Sequence, residues 1–176
     1  NTIIKQVDAL KLMVNEFAEY SRTPSIVRKT INITELIDEI SYLYSDQSIE
    51  IQKNYPKKIK KIKIDENKFR QVLINIFDNS KAAIEDTKYP KIVITLKYNK
   101  NFVMLKFEDN GIGIPKKIIE KIYEPYVTSK KKGTGLGLAI VNKIIEEHSG
   151  NIEIRNIKPN GACILITLPL TEIKNE

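Results

Sequence analysis

Apolar residues follow different spacings along the chain, and each spacing predicts a different element. In residues 1–22, which contain neither Gly nor Pro, they recur at alternating steps of four and three. These residues are Ile3, Val7, Leu10, Val14 and Phe17. Such steps form the seam of a coiled coil or helical bundle. A seam of this kind often packs on its own domain, but this one precedes a break at Thr23-Pro24-Ser25. The break favours a separate helix whose partners lie outside this sequence or in a second copy.

Three helices are predicted after Thr30. Asn32 followed by Glu35 has the spacing of a capping box, and Asp65 is placed to cap the next helix. The inward residues are Ile33, Leu36, Ile37, Ile40 and Leu43 in the first helix, and Phe69, Val72, Leu73, Ile76 and Phe77 in the second. The third helix is predicted from Leu136 to His148.

Strands are predicted between these helices and after the last one. Short runs occur at Ser48 to Gln52 and Lys60 to Ile64, and two pairs of alternating runs around turns predict hairpins. The pairs are Ile92 to Tyr98 with Phe102 to Glu108, and Asn151 to Asn156 with Ala162 to Leu168. We expect an α/β two-layer sandwich, with a mixed, mostly antiparallel sheet covered by helices on one face and preceded by an N-terminal coiled-coil-like helix.

Composition narrows the classes of function. Of the 176 residues, 41% are apolar and 29% charged, which fits one soluble globular domain with a short addition. No apolar run reaches the roughly 18 to 20 residues of a membrane span, and no signal peptide opens the sequence. A chain that starts at Asn1 is nevertheless expected to be a fragment, and membrane segments upstream are not excluded.

The net charge of +7 raises nucleic-acid binding as a hypothesis. The lysines are dispersed, however, as in Lys57-Lys58 and Lys116-Lys117, without interleaved aromatic residues that would stack on bases. We therefore expect no nucleic-acid partner, although some of the charge suits an anionic ligand. The single cysteine, Cys163, lies in a strand pattern and is expected to be a buried thiol in a reducing compartment.

A glycine-rich segment that runs into the third helix is the first candidate for chemistry. Gly133, Gly135 and Gly137 stand just before the helical periodicity begins. Glycines let backbone N–H groups approach a ligand, and a helix N-terminus offers unpaired donors with partial positive charge. This arrangement suits phosphate, although the same spacing also occurs in flexible loops.

Two other segments supply the parts that a nucleotide site needs besides phosphate donors. Asn75 and Asn79 lie one turn apart on one helix face, where amides are costly unless they are hydrogen-bonded. They either bond a neighbouring loop or supply carbonyl oxygens to Mg²⁺. In Asp109 to Pro115 the glycines around Ile112 leave an apolar floor for a flat base. Asp109 can accept a hydrogen bond from an exocyclic amine, which distinguishes adenine from guanine, although D-N-G alone is a turn.

These segments together resemble the catalytic and ATP-binding domain of sensor histidine kinases, within the superfamily of gyrase-, Hsp90- and MutL-type ATPases. The corresponding motifs are the N box at Asn75 to Ala83, the first glycine box at Asp109 to Gly113, an F-box-like run at Tyr123 to Lys130 and the second glycine box at Gly133 to Leu138. The N-terminal run resembles the end of the dimerisation region in NtrY-type nitrogen-regulation kinases. The implied domains are residues 1–24, which end the dimerisation and phosphotransfer helix, and residues 30–172, which bind ATP.

The resemblance implies a role for each matched position. Asn79 would be the main Mg²⁺ ligand with Asn75 beside it, and Asp109 would bind the adenine amino group. Gly111 and Gly113 would give the base room. The phosphate-binding lid would contain Gly133, Thr134, Gly135, Leu136 and Gly137. Lys130 would contact the terminal phosphate and Thr128 would steady the lid, although a solvated lysine run is an equal alternative.

Asn75 also separates two functions within the superfamily. In the ATPase branches, the residue four positions before the metal-binding Asn is typically a Glu that activates water. An amide cannot take that proton, so we expect ATP to be held for transfer to another nucleophile. The rival functions are an ATPase of the gyrase or MutL kind and a serine kinase of the anti-sigma type.

The single histidine, His148, ends the third helix and does not lie in an H box. We therefore expect the phospho-acceptor helix to be missing and the fragment to be unable to phosphorylate itself. The implied partners are that H-box helix, a response regulator and, in the intact protein, a second copy forming a homodimer. The implied location is the cytoplasmic domain of an inner-membrane sensor kinase, with no membrane contact by this fragment.

Overall fold

The computed structural model describes residues 26–45, 49–130 and 133–170. It also describes five isolated helical positions: Ile4, Val7, Lys11, Val14 and Ala18. Most of the predicted N-terminal seam, Ile3, Leu10 and Phe17, lies outside the described residues. Val7 and Val14 are exposed by 56% and 63%. The coiled coil and the boundaries at residues 1–24 and 30–172 therefore stay predictions.

In the part of the chain that the structure describes, seven strands form two sheets. The strands are β1 (Lys29–Ile31), β2 (Glu50–Asn54), β3 (Ile62–Ile64), β4 (Lys91–Tyr98), β5 (Phe102–Asp109), β6 (Asn151–Asn156) and β7 (Ala162–Pro169). Five of them form one sheet in the order β2-β4-β5-β7-β6, in which only β2 and β4 are parallel. β1 and β3 form a separate antiparallel pair. The predicted mixed, mostly antiparallel sheet is confirmed.

Four helices with described bounds accompany the strands in residues 26–45, 49–130 and 133–170. They are α1 (Ile33–Tyr42), α2 (Glu66–Ile84), α3 (Lys116–Ile119) and α4 (Gly137–Glu147). The predicted caps are present: Asn32 Oδ1 accepts from the Thr34 amide at 3.1 Å, and Asp65 Oδ1 accepts from the Lys68 amide at 3.2 Å. Each cap satisfies a donor that the first turn leaves unpaired, so both helices begin where the sequence predicts.

One buried cluster joins the sheet to the helices. Alternate residues of β4, β5 and β7 turn toward the inner faces of α1, α2 and α4. The rings of Phe77 on α2 and Phe107 on β5 meet edge to face, with centroids 5.9 Å apart. Cys163 is buried, as predicted. Within the described residues, no helix combines the length and hydropathy needed to cross a lipid bilayer.

The structure corrects the predicted elements at a few points. Leu43, predicted to face inward, is 60% exposed, because α1 ends at Tyr42 and Leu43 is already its cap. β2 begins at Glu50, two residues later than predicted. β1 and α3 were not predicted, since three or four residues are too few to show a period.

Candidate nucleotide site

Helix α2 presents two amide side chains on one face. Asn75 and Asn79 are both half-buried, while the neighbouring Val72 and Ile76 are packed in the core. The Asn75 Nδ2 group donates to the carbonyl oxygen of Gln71 at 3.0 Å. Because the amide nitrogen is held by its own helix, Asn75 Oδ1 projects away from it toward α4. The two asparagines thus lie together as predicted.

The first helical residue of α4 lies against Asn75. A Cβ at Gly137 would lie 2.9 Å from Asn75 Oδ1, closer than side-chain carbons approach an oxygen. A side chain at this position would displace the Asn75 amide. The start of α4, with its unpaired N–H groups, is brought beside the amide pair of α2.

Lys130 reaches across to the second asparagine. Its Nζ donates to Asn79 Oδ1 at 2.6 Å, although the two residues are 51 positions apart. Lys130 as a whole is exposed, but protein atoms crowd its ammonium end, and this loss of water lowers the pKa of Lys130 while the charge of Asp78 raises it. The side chain is therefore directed into the site, contrary to a purely solvated lysine run.

Asp109, at the end of β5, is a buried carboxylate that is 7% exposed. Its Oδ1 accepts from the amides of Gly111 at 3.0 Å and Ala162 at 3.3 Å. Burial raises the pKa of Asp109, and hydrogen bonds from Gly111, Ala162 and the Ser80 side chain counteract the rise. These donors fix the carboxylate and favour its charged form, which is the form that accepts from an amine.

The loop after Asp109 packs tightly on its neighbours. A Cβ at Gly111 would collide with the backbone of Ala83 on α2, and Gly113 has a positive φ of 71°. Asn156 Oδ1 accepts from the Ile114 amide at 2.7 Å, and its Nδ2 donates to the Ile114 carbonyl oxygen at 2.8 Å. Ile112, around which the sequence suggested an apolar floor, is 82% exposed. The small size of Gly111 thus serves helix packing in this structure.

The lid between Val127 and Gly137 has an ordered base. Thr128 Oγ1 accepts from the Lys130 amide at 3.0 Å, and the Gly133 amide donates to the Lys130 carbonyl oxygen at 3.2 Å. Thr134 Oγ1 accepts from the amide of Leu136, a residue whose side chain is fully buried. Lys131 and Lys132 lie outside the described residues.

Gly135 closes this base against the run before the lid. It has a φ of 72°, and its carbonyl oxygen accepts from the Tyr126 amide at 3.1 Å. A side chain at Gly135 would collide with the backbone of Tyr126 and Val127. Tyr126 itself has a positive φ of 66°, which is uncommon for a residue with a Cβ.

His148 has a structural position, away from the asparagine pair. It is 4% exposed, and its Nε2 accepts from the Asp65 amide at 2.9 Å. Its Nδ1 lies 2.7 Å from the Ile144 carbonyl oxygen and therefore carries the proton. Burial lowers the pKa of His148. Neither ring nitrogen is available to a phosphoryl group.

The segment before β1 is hydrogen-bonded near His148. Asp65 Oδ2 accepts from the Val27 amide at 2.9 Å, and the Arg28 guanidinium donates to the Glu147 carbonyl oxygen at 2.9 Å. The segment ahead of β1 is thereby attached to the start of α2 and the end of α4.

Several site residues were not found by sequence reasoning. Ser80 and Asn156 hold Asp109 and its loop, and Tyr126 holds Gly135. Ser80 lies within the N box, which was a usable signal. Asn156 had none, because its partner Ile114 is 42 positions away.

Comparison with known proteins agrees with this fold. An NtrY-like sensor histidine kinase of Rickettsia prowazekii (strain Madrid E) is 32% identical over 182 residues, covering 97% of this chain and 29% of the relative. The catalytic domain of histidine kinase ThkA has a TM-score of 0.74 at 32% identity, covering 82% of this chain and 99% of that chain. ThkA in complex with response regulator TrrA has a TM-score of 0.80 at 29% sequence identity, covering 99% of this chain and 51% of that chain.

The fold and the site define a histidine-kinase-type ATP-binding catalytic domain. The family of histidine kinase-, DNA gyrase B- and HSP90-like ATPases matches residues 64–172, and the chain belongs to that family. The resemblance noted in the sequence is confirmed, and the curated relative supports the histidine-kinase branch rather than the ATPase or serine-kinase rivals. The chain spans about a third of that relative's length.

Proposed function

We propose that this chain binds Mg·ATP between α2, the loop after β5 and the lid, and holds it for transfer to a histidine on another segment. The observation that carries this proposal is the amide pair of α2. Asn75 occupies the position at which the ATPase branches typically have Glu, and its nitrogen is engaged with the Gln71 carbonyl oxygen. An amide cannot take a proton from water, so rapid hydrolysis is disfavoured.

The donor set fits a hard cation. Asn75 and Asn79 offer neutral oxygens one turn apart, and Asn79 Oδ1 already accepts from an ammonium group. The described residues contain no group of three or more His, Cys, Asp or Glu side chains placed to hold a metal. Mg²⁺ would therefore depend on these amide oxygens together with water and nucleotide phosphates, since Mg²⁺ keeps several waters and takes oxygen ligands from substrate phosphates. When bound, the metal would neutralise phosphate charge.

The remaining contacts position the nucleotide. The Asp109 carboxylate accepts from the adenine amino group, while the loop of Gly111 and Gly113 borders the base. The N–H groups at the start of α4, with Gly133, Thr134, Gly135, Leu136 and Gly137, surround the phosphates. Lys130 contacts the terminal phosphate, and Thr128 holds the Lys130 backbone. Catalysis then comes mainly from positioning and charge neutralisation.

The phosphoryl acceptor lies outside this chain. His148 is its only histidine, and this residue is buried with both nitrogens bonded. In the intact protein, which we take to be a homodimeric inner-membrane sensor kinase, the acceptor is a histidine of an H-box helix. A response-regulator aspartate then receives the phosphoryl group, a step supported by the likeness to ThkA in its complex with TrrA.

The test mixes this chain with Mg·ATP and a separately produced H-box domain. We expect acid-labile phosphate on the H-box domain and none on this chain, with Asn79→Ala abolishing the transfer. His148→Gln should transfer normally and serves as the matched control for the loss of a histidine. Transfer only to serine, or repeated ATP turnover without an acceptor, would overturn the proposal.

A further inference from the structure

We infer that Lys130 is an exchangeable internal cation, whose ammonium occupies Asn79 Oδ1 until a metal-bound nucleotide takes that oxygen. The inference deepens the proposed function and rests on it. It concerns the nucleotide-free protein, whereas the roles proposed above for the site residues all refer to bound Mg·ATP.

The geometry of Lys130 gives it two distinct attachments. Its backbone is fixed to the lid, since its amide donates to Thr128 Oγ1 and its carbonyl oxygen accepts from the Gly133 amide. Its side chain is fixed to α2 through the 2.6 Å bond from Nζ to Asn79 Oδ1. One flexible side chain therefore connects the base of the lid to the helix that carries the amide pair.

The acidic surroundings favour a cation at this point even before nucleotide binds. Asp78, next to Asn79, attracts the Lys130 ammonium. The Tyr44 hydroxyl donates to Asp78 Oδ1 at 2.8 Å and keeps that carboxylate in place. The site thus offers one amide oxygen and one nearby negative charge, and Lys130 supplies the cation.

Lys130 and Mg²⁺ cannot share Asn79 Oδ1 without cost. Magnesium binds oxygen at about 2.1 Å, so the two cations would stand at most about 5 Å apart in a partly desolvated site, where like charges repel strongly. Lysine is the movable partner because its ammonium sits on a flexible four-carbon stem. The displaced ammonium then faces the phosphates, which attract it.

This exchange predicts how strongly nucleotide binding depends on Mg²⁺. Without metal, the Lys130 ammonium partly neutralises the phosphates and supports binding. With metal, the displacement of the Lys130 ammonium from Asn79 reduces the free energy that Mg²⁺ adds to nucleotide binding. Removing the ammonium should therefore increase the factor by which Mg²⁺ tightens nucleotide binding, by about tenfold, the scale of one charge-assisted hydrogen bond.

The experiment measures AMP-PNP affinity by calorimetry, with Mg²⁺ and with EDTA, for the wild type and for Lys130→Met, Lys130→Arg and Lys100→Met. Lys100 is an exposed lysine in the β4–β5 turn, at the end of β5 remote from Asp109, and controls for net charge. We expect the metal enhancement to rise in Lys130→Met and to stay near the wild-type value in Lys130→Arg and Lys100→Met.

A second readout needs no nucleotide. The side-chain amide resonances of Asn79 in the free protein should move in Lys130→Met and not in Lys100→Met, and saturating Mg·AMP-PNP should remove most of the difference. Equal metal enhancement in wild type and Lys130→Met, with unmoved Asn79 resonances, would overturn the exchange and leave nucleotide binding standing. Failure of the wild type to bind AMP-PNP at all would instead overturn the proposed function.

Discussion

Asp109 combines burial with several hydrogen-bond donors, and the balance between them decides what the side chain can recognise. Burial raises its pKa, whereas the amides of Gly111 and Ala162 and the Ser80 side chain favour the charged form. A fixed carboxylate that only accepts hydrogen bonds selects a ligand that donates. Adenine donates at its amino group, and guanine presents a carbonyl oxygen there.

Asp109→Asn should reverse part of this selectivity. The amide keeps an oxygen for the two backbone donors, so folding is preserved, but its nitrogen now donates and no longer accepts. We expect affinity for Mg·AMP-PNP to fall by about 10- to 100-fold and the preference over Mg·GMP-PNP to shrink. Asp86→Asn, at an exposed acid just after α2, is the control and should change neither affinity. An unchanged base preference would exclude Asp109 from base recognition.

His148 should make the stability of the fold depend on pH. Its folded-state pKa is lowered, mainly by burial, with Arg28 lowering it further while the Ile144 carbonyl oxygen, Asp65 and Glu147 raise it. The unfolded chain therefore binds a proton first as pH falls. The stability contribution is complete above the unfolded pKa of 6.5 and is lost as pH falls toward the folded value.

Thermal unfolding can check this dependence. We expect the Tm of the wild type to fall by several degrees between pH 7.5 and 5.5. His148→Gln should lose less over the same interval, because glutamine can still accept from the Asp65 amide but does not titrate. The pKa of Asp65 is lowered, so protonation of Asp65 reduces stability only below about pH 4 and does not affect the comparison between pH 7.5 and 5.5. Parallel pH curves for the two proteins would contradict the assignment.

The candidate site residues could be proposed from local motifs in the sequence, whereas the contacts between them could not. Asn75, Asn79 and Asp109 stand in recognisable local motifs, and local spacing is visible in one sequence. The bond from Lys130 to Asn79 joins positions 51 apart, and the bonds between Asn156 and Ile114 join positions 42 apart. Only the folded sheet and helices bring such pairs together.

Among the loops, the base of the lid is one of the places that leave no room for a side chain. Gly135 holds a positive φ and packs directly on the backbone before the lid. Its carbonyl oxygen accepts from the Tyr126 amide, so the two ends of the lid approach each other at this point. The position of the start of α4 relative to α2 depends on that contact.

Gly135→Ala should therefore impair the site more than the fold. A left-handed conformation costs about 1–2 kcal/mol for a residue with a Cβ, and the collision with Tyr126 and Val127 displaces the lid base. We expect affinity for Mg·AMP-PNP to fall by about tenfold or more, while Tm falls by only a few degrees. Ser129→Ala, at an exposed lid position, is the control. Wild-type affinity in Gly135→Ala would show that the lid base does not position the phosphate donors.

The longer elements followed from the sequence because their periodicity extends over several turns or pairs. The start of α2 was predicted from its cap, and the two strands of the β4–β5 hairpin were predicted to within one residue at each end. β1 and α3 were not, because their form depends on the surrounding structure: β1 exists as the antiparallel partner of β3. A three-residue strand has no pattern of its own.

Taken as one molecule, the protein should become more stable when the site is filled. At 100 times the Kd, a ligand that binds only the folded state adds about 2.7 kcal/mol, which corresponds to roughly 5–10 °C in Tm for a chain of this size. Mg·AMP-PNP should give this shift and Mg·GMP-PNP should not. Asn79→Ala should abolish it. Equal shifts with both nucleotides would mean that binding occurs without base selection.

The attachment of Val27 to Asp65 gives the fold a mechanical property. The Asp65 side chain caps α2 and accepts from the Val27 amide ahead of β1, and the Asp65 backbone amide donates to His148 at the end of α4. A force or twist on the chain before Val27 therefore acts first on the N-terminus of α2 and only then on the sheet. Asn79 lies only a few helical turns further along α2, so a displacement of the upstream chain would act close to the oxygen that binds the cation.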